Sequence, residues 1–177
     1  MNKKTHLVTG GCRSGKSRFA LKLAELALKP YYIATAVIGD DEEMLDRVNK
    51  HQAERGSHWT TIEEPFVLCD AICRAEKEEA DHIVIDCLTI WTANVMFNPK
   101  LSVETELAIL ADALDNSTIP ITLVTNEVGA GIVPRDPVSR EFRDFAGTVN
   151  QAIAKIVPNV TMTVCGIPVA VNSLVTH

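Results

Sequence analysis

Gly10-Gly-Cys-Arg-Ser-Gly-Lys-Ser17 follows the apolar run Thr5-His-Leu-Val-Thr9 and opens a helical pattern from Lys16 to Leu28. It fits G-x-x-x-x-G-K-[ST] at every fixed position. The spacing follows from what a bound phosphate needs. Glycines permit positive φ and let backbone N–H groups come close to anionic oxygens. Lys16 brings a charge to the β- and γ-phosphates, and the Ser17 hydroxyl is a ligand for Mg²⁺. The amino end of the helix then directs its partial positive charge at the anion. A strand before the loop and an amphipathic helix after it are the context this loop requires, so it reads as a nucleotide-phosphate cradle rather than a glycine turn.

Outward from this loop the chain alternates strand and helix. Tyr31-Tyr-Ile-Ala-Thr35, His82-Ile-Val-Ile-Asp86, Ile119-Pro-Ile-Thr-Leu-Val-Thr125 and Val160-Thr-Met-Thr-Val164 are apolar, β-branched runs, and Pro168-Val-Ala-Val171 has the composition to pair beside the last. Continuous apolar runs, rather than strict alternation, mark strands buried on both faces of a parallel sheet. Helical patterns fill the gaps: Lys16 to Leu28 with Phe19, Leu23 and Leu26 on one side, Asp40 to about Ala53, Phe66 to Glu79, Val103 to Leu114, and Val138 to Val157. The expected fold is α/β, P-loop NTPase-like, a doubly wound and mostly parallel sheet flanked by helices. No repeat, low-complexity stretch or linker-like shift interrupts it, so residues 1–177 read as one nucleotide-binding domain.

The composition agrees. With 177 residues the chain buries roughly 70% of the surface its unfolded form exposes, enough to fold without disulfides or metal. Lys and Arg number 17 against 23 Asp and Glu, a net charge of −6, which argues against a broad nucleic-acid surface and leaves room only for a local basic pocket. No run approaches the ~20 apolar residues of a membrane span. The amino-terminal residues lack the apolar core of a signal peptide. Five scattered cysteines without a C-x-x-C pair fit reduced thiols in a cytoplasmic protein better than a disulfide framework or zinc site.

Three further places carry chemistry. Asp86 ends an apolar strand, where P-loop proteins put the carboxylate that holds Mg²⁺. Thr125-Asn-Glu-Val-Gly-Ala-Gly-Ile-Val-Pro134 leaves another strand with two polar residues and two glycines. In an open α/β sheet the ligand crevice lies at the carboxyl ends of strands, so Glu127 either faces substrate or metal there or caps a helix. Glu63-Glu64 reads as a solvated turn. Arg47, His51 and Arg55 are spaced to share one face of a continuous helix. That is either a solvated basic face or a histidine nucleophile flanked by cations that stabilise phosphate charge, and spacing does not choose between them.

Taken together these residues resemble a known family. The loop Gly10 to Arg18, Tyr32-Ile-Ala-Thr35, Arg47-x-x-x-His51-x-x-x-Arg55 with Trp59, Thr125 to Pro134, Phe142-Arg-Asp-Phe-Ala-Gly-x-Val-Asn-Gln151 and Gly166-Ile-Pro-Val occur in order. They resemble the bifunctional adenosylcobinamide kinase / adenosylcobinamide-phosphate guanylyltransferases of coenzyme B12 assembly, over nearly the whole chain. The resemblance implies an enzyme that phosphorylates adenosylcobinamide with ATP or GTP. It would then pass GMP from GTP through a guanylyl-histidine to give adenosyl-GDP-cobinamide and pyrophosphate. It implies His51 as nucleophile, with Lys16 catalytic on the triphosphate. Nucleotide contacts fall on Gly10, Gly11, Cys12, Arg13, Ser14, Gly15, Lys16, Ser17, Ile33, Ala34, Thr35, Glu63 and Asp86, and Mg²⁺ on Ser17 and Asp86. It further implies a homo-oligomer, a trimer among the candidates. Gln52, Gly56 and Cys12 depart from the family's familiar residues, and the departures bear on whether both activities are kept. The alternatives are a P-loop kinase of another small alcohol, without covalent nucleotide, and a non-enzymatic GTP- or ATP-binding switch.

Overall fold

A computed structural model describes residues 4–37 and 55–171. The expected helix over Asp40 to Ala53, and with it Arg47, Lys50, His51 and Gln52, lies outside the described residues. Within them the order is β1 (His6–Gly10), α1 (Lys16–Leu23), β2 (Pro30–Ala34), β3 (Thr60–Glu63), α2 (Leu68–Lys77), β4 (His82–Asp86), α3 (Leu88–Met96), α4 (Val103–Asn116), β5 (Ile121–Val124), α5 (Pro137–Ile156), β6 (Asn159–Val164) and β7 (Ile167–Ala170). The strands form one sheet in the order β3-β2-β4-β5-β1-β6-β7. Every pairing is parallel except the β6–β7 hairpin.

Each inner strand buries both of its faces, as continuous apolar runs require. Leu7, Ile33, Ile83, Ile85, Ile121 and Leu123 join the larger core, with Ile72, Trp91, Leu110 and Ile153 from the four later helices. The opposite face is thinner: Val8, Tyr32, Val84 and Val124 meet Ala20 of α1 and Ala24, the residue that caps it. Helix starts are set by local capping. Ser102 accepts from the Thr105 N–H at α4, and Asp136 accepts from Val138 and Ser139 at α5, with Pro137 pre-set for the first turn. Both Glu64-facing N–H groups, of Phe66 and Val67, donate to its Oε1 at 2.9 Å on the way into α2.

Three elements differ from the sequence expectation. Helix α1 stops at Leu23 rather than Leu28, because the chain has to reach an extended residue before Pro30. Asp81 fixes that turn by accepting from the Leu28 and Lys29 N–H groups. Leu26 is therefore 94% exposed, and Ala20 and Ala24 make the buried face. Strand β3 was not expected, since only Ile62 of its four residues is buried. Helix α3 was not expected either. It is apolar nearly all round and buries Leu88, Thr89, Trp91, Thr92 and Val95, so it offers no amphipathic period to read.

The sheet order matters most for function. Strand β5 lies between β1 and β4, so the loops that follow β1, β5 and β4 emerge side by side at the carboxyl edge. At ~4.8 Å per strand, the ends of β1 and β4 are ~10 Å apart.

Candidate active site

The phosphate loop is built from backbone. Gly10 and Gly15 have φ of 144° and 96°, values that L side chains rarely adopt, and Arg13 joins them at 53°. Glycine at position 10 is also demanded by space: a Cβ there would lie 2.5 Å from the Thr163 carbonyl oxygen. Ser14 Oγ and Thr163 Oγ1 share a hydrogen bond at 2.8 Å, and the Gly166 N–H donates to the Ser14 carbonyl at 3.0 Å. On the other side the Glu127 N–H donates to the Gly10 carbonyl at 3.0 Å. Lys16, a residue only 7% exposed, donates from its ammonium to the Gly11 carbonyl across the loop at 2.6 Å. Burial pulls its pKa below the ordinary lysine range, and the charge of Asp86 opposes that pull. Cys12 and Arg13 stand exposed on the rim.

Beyond β5, Asp86 closes β4. The Tyr32 hydroxyl donates to Asp86 Oδ2 at 3.1 Å. Burial first, and then the neighbouring carboxylate, pushes the Tyr32 phenol far above its ordinary range, so it remains a donor. The Arg55 guanidinium lies 3.6 Å from the centroid of the Tyr32 ring, a cation–π contact, and Trp59 meets that ring edge-on at 6.4 Å. Burial lowers the Arg55 pKa, with Tyr32 and Asp86 opposing. Its Nη1 is buried and has no partner among the described residues.

The neighbouring segment 33–35 is held tightly. Ile33 and Thr35 are buried. The Thr35 hydroxyl donates to the Cys87 carbonyl at 2.9 Å and accepts from the Cys87 N–H at 2.8 Å. Asn94 of α3 donates to the carbonyls of Thr35 and Pro65, at 2.7 and 3.1 Å. Burial first, and Asp86 second, push the Cys87 thiol up to about 12, which makes it inert at neutral pH. Glu63 is exposed at the end of β3, opposite Ala34, which in turn pairs with Asp86.

The fold thus brings together Gly10 to Ser17, Asp86 and residues 33–35 along one edge. It sets Glu63 at the far end, four strands from β1, or ~19 Å of sheet width. His51 lies outside the described residues. Ser17 and Asp86 are hard oxygen donors of the kind Mg²⁺ takes together with water and phosphate, so the pair fits that ion. Among the described residues no group of three or more His, Cys, Asp or Glu side chains could hold a metal by itself. No sequence signal ties Tyr32 or Thr163 to the partners they have here, and Asn94 lies in no motif. A polar Asn in an otherwise apolar stretch was a readable signal for Asn94, because buried amides are kept for hydrogen bonding. For Tyr32 and Thr163 the partners are too distant in sequence to be inferred.

A lysine-bearing loop closed on itself by glycines, two strands from a carboxylate at the same sheet edge, defines a P-loop nucleotide-binding protein. Residues 6–171 match the family model described as cobinamide kinase / cobinamide phosphate guanyltransferase, and the chain belongs to that family. Membership makes it a transferase of cobalamin biosynthesis. It is 43% identical over 164 residues to the bifunctional adenosylcobalamin biosynthesis protein CobP of Pseudomonas aeruginosa, covering 92% of this chain and 94% of that one. It is 38% identical over 180 residues to the bifunctional adenosylcobalamin biosynthesis protein CobU of Salmonella typhimurium, covering 94% and 98%. Among solved structures it resembles a KaiC-like protein of Pyrococcus horikoshii, with a TM-score of 0.52 at 18% identity over 91% of this chain and 71% of that one. It also resembles an ATPase of a bacterial type III secretion system, with a TM-score of 0.52 at 12% identity over 99% and 59%. At such identities the likeness concerns the fold alone. No helix among the described residues is long and apolar enough to cross a membrane.

Proposed function

We propose that this chain carries out two reactions on one acceptor. It phosphorylates the aminopropanol hydroxyl of adenosylcobinamide with a nucleoside triphosphate. It then transfers GMP from GTP, through a guanylyl-His51, to that phosphate, releasing pyrophosphate. The observation that carries the reading is the shared edge: the Lys16 loop and Asp86 stand two strands apart, with the lysine charge coupled to the carboxylate. Lys16 and the loop N–H groups bind and orient the triphosphate. Mg²⁺, held by Ser17 and Asp86, would supply charge neutralisation at the β- and γ-phosphate oxygens. For the guanylyl step, the support is Arg55. It lies four residues from His51 in sequence, and its guanidinium packs on Tyr32 beside Asp86 with Nη1 unpartnered among the described residues. A buried cation of that kind is suited to phosphate oxygens.

The reading takes residues 1–177 as one cytoplasmic nucleotide-binding unit whose two reactions share the phosphate loop. The exposed apolar side chains of Ile167, Val169 and Val171 along the β7 edge favour a homo-oligomer. The test is intact mass after incubation with GTP and Mg²⁺. A single acid-labile GMP adduct is expected, absent in His51→Ala. An adduct that survives in the variant moves the nucleophile elsewhere. Phosphorylation of the alcohol with no adduct in the unaltered protein leaves only a kinase.

A further inference from the structure

We propose that Glu127 is the proton acceptor of the phosphoryl-transfer step, the carboxylate that receives the proton of the acceptor hydroxyl. The inference deepens the function proposed above and rests on its kinase half. A base for this step has to reach a hydroxyl held against the γ-phosphorus, close to the phosphate loop.

Topology puts Glu127 there. Val124, at the end of β5, is level with Val8 of β1 on one side and with Asp86 of β4 on the other. The chain leaves the sheet between the two, and three residues later the Glu127 N–H bonds the carbonyl of Gly10, where the phosphate loop begins.

The loop is also fastened in a way that a simple turn does not need. The Asn126 N–H donates to Thr89 Oγ1 of α3 at 2.7 Å. Thr125 Oγ1 donates to Asn150 Oδ1 of α5 at 2.7 Å, and Asn150 Nδ2 returns a bond to the Asn126 carbonyl at 3.1 Å. Arg143, also on α5, donates to the Gly129 carbonyl at 2.7 Å. Two helices therefore fix the backbone on both sides of Glu127. The side chain is oriented too. The Gly129 N–H donates to Oε1 at 3.0 Å, and a Cβ on Gly129 would stand 3.0 Å from the same oxygen, so glycine permits the approach. The other carboxylate oxygen has no hydrogen-bond partner among the described residues.

The two other carboxylates at this edge are placed differently: Asp86 ends β4 beside Tyr32 and is assigned above to the metal, and Glu63 lies on the outermost strand. The residue after Asp86 is the buried Cys87.

The step balances as follows. The hydroxyl proton passes to the free oxygen of Glu127 as the substrate oxygen bonds to the γ-phosphorus. The bond from that phosphorus to the β,γ-bridging oxygen breaks, and the nucleoside diphosphate leaves with the electron pair. Glu127 returns its proton to solvent as products depart.

The experiment compares the unaltered protein with Glu127→Gln, whose amide oxygen can still accept from Gly129. Phosphorylation of adenosylcobinamide is measured at saturating nucleotide, alongside the Kd of a non-hydrolysable GTP analogue and the Tm. The expected result is a kcat lower by roughly 10²- to 10⁴-fold, with Kd within about twofold and Tm unchanged, and partial recovery in Glu127→Asp. A kcat within tenfold of the unaltered protein overturns the proposal. So does a joint loss of nucleotide affinity and Tm, which would make Glu127 a structural residue. If the unaltered protein does not phosphorylate adenosylcobinamide, the proposed function and this inference fall together; if it does and Glu127→Gln matches it, only this inference falls.

Discussion

On the β1 side of the carboxyl edge, the main chain forms the phosphate cradle. Three of its residues have positive φ, and the carbonyls of Gly10 and Ser14 are each taken by an N–H from another segment. On the β2–β4 side, side chains do the corresponding work: Tyr32 on Asp86, Arg55 on Tyr32, Asn94 on Thr35. Main-chain carbonyls survive substitution, so apart from Lys16, Ser17 and the Ser14–Thr163 pair the first side is sensitive chiefly where a Cβ intrudes. The second side depends on identities, and its contacts differ in how much of the fold they hold. One side should therefore break through shape and the other through chemistry.

The largest effect is expected from Gly10→Ala. A Cβ forced into φ 144° and set 2.5 Å from the Thr163 carbonyl should cost about 2–3 kcal/mol, a Tm lower by roughly 5–10 °C. GTP is expected to raise the Tm of the unaltered protein, and that rise should be absent in this variant. Normal nucleotide affinity in this variant would break the account of a backbone-built cradle. Tyr32→Phe should act the other way. It keeps the ring under Arg55 and removes only the hydroxyl on Asp86, so phosphoryl transfer should fall about tenfold with a Tm change smaller than that of Gly10→Ala. A loss of Tm as large as the glycine variant's would show that Tyr32 serves packing.

The smallest effect should come from the opposite edge, away from both sides. His6 pairs with Thr161 at 2.8 Å and His82 with Thr122 at 2.9 Å, and burial lowers both histidine pKa values below 6.5. The unfolded chain then binds protons near pH 6.5 that the folded chain refuses. Stability is full above that pH and declines as the pH falls through it toward the lower folded values. A Tm series from pH 8 to pH 5 should show a shallow decline, flattened in the double variant His6→Gln, His82→Gln. An unchanged slope would place the titrating groups elsewhere.

The same contrast explains what could be read from the sequence. The motif Gly10 to Ser17 is contiguous because a backbone cradle is local, and β4 was legible because His82 to Asp86 is apolar on both faces before its carboxylate. The Tyr32–Asp86 bond joins residues 54 apart, and no spacing rule reports it. Helix α3 went unread because a buried helix has no polar face, and β3 because one buried residue in four makes no pattern. The expected α1 is too long because Leu26 continues the period of Phe19 and Leu23, although the turn into Pro30 exposes it. Glu127 is conspicuous by composition, but the choice between a helix cap and a substrate-facing carboxylate depends on β5 lying between β1 and β4. It is not a helix cap: Asp136 has that place at α5.

The contact between the loop and the β6–β7 hairpin has a consequence for the order of synthesis. Ser14 and Thr163 are 149 residues apart, which at about 5–20 residues per second means a delay of roughly 7–30 s on the ribosome. A nascent chain that already displays the whole phosphate motif still lacks the strand and turn that brace it. The loop thus gains its brace from Thr163 and Gly166 only when β6 and the turn after it have been made and docked.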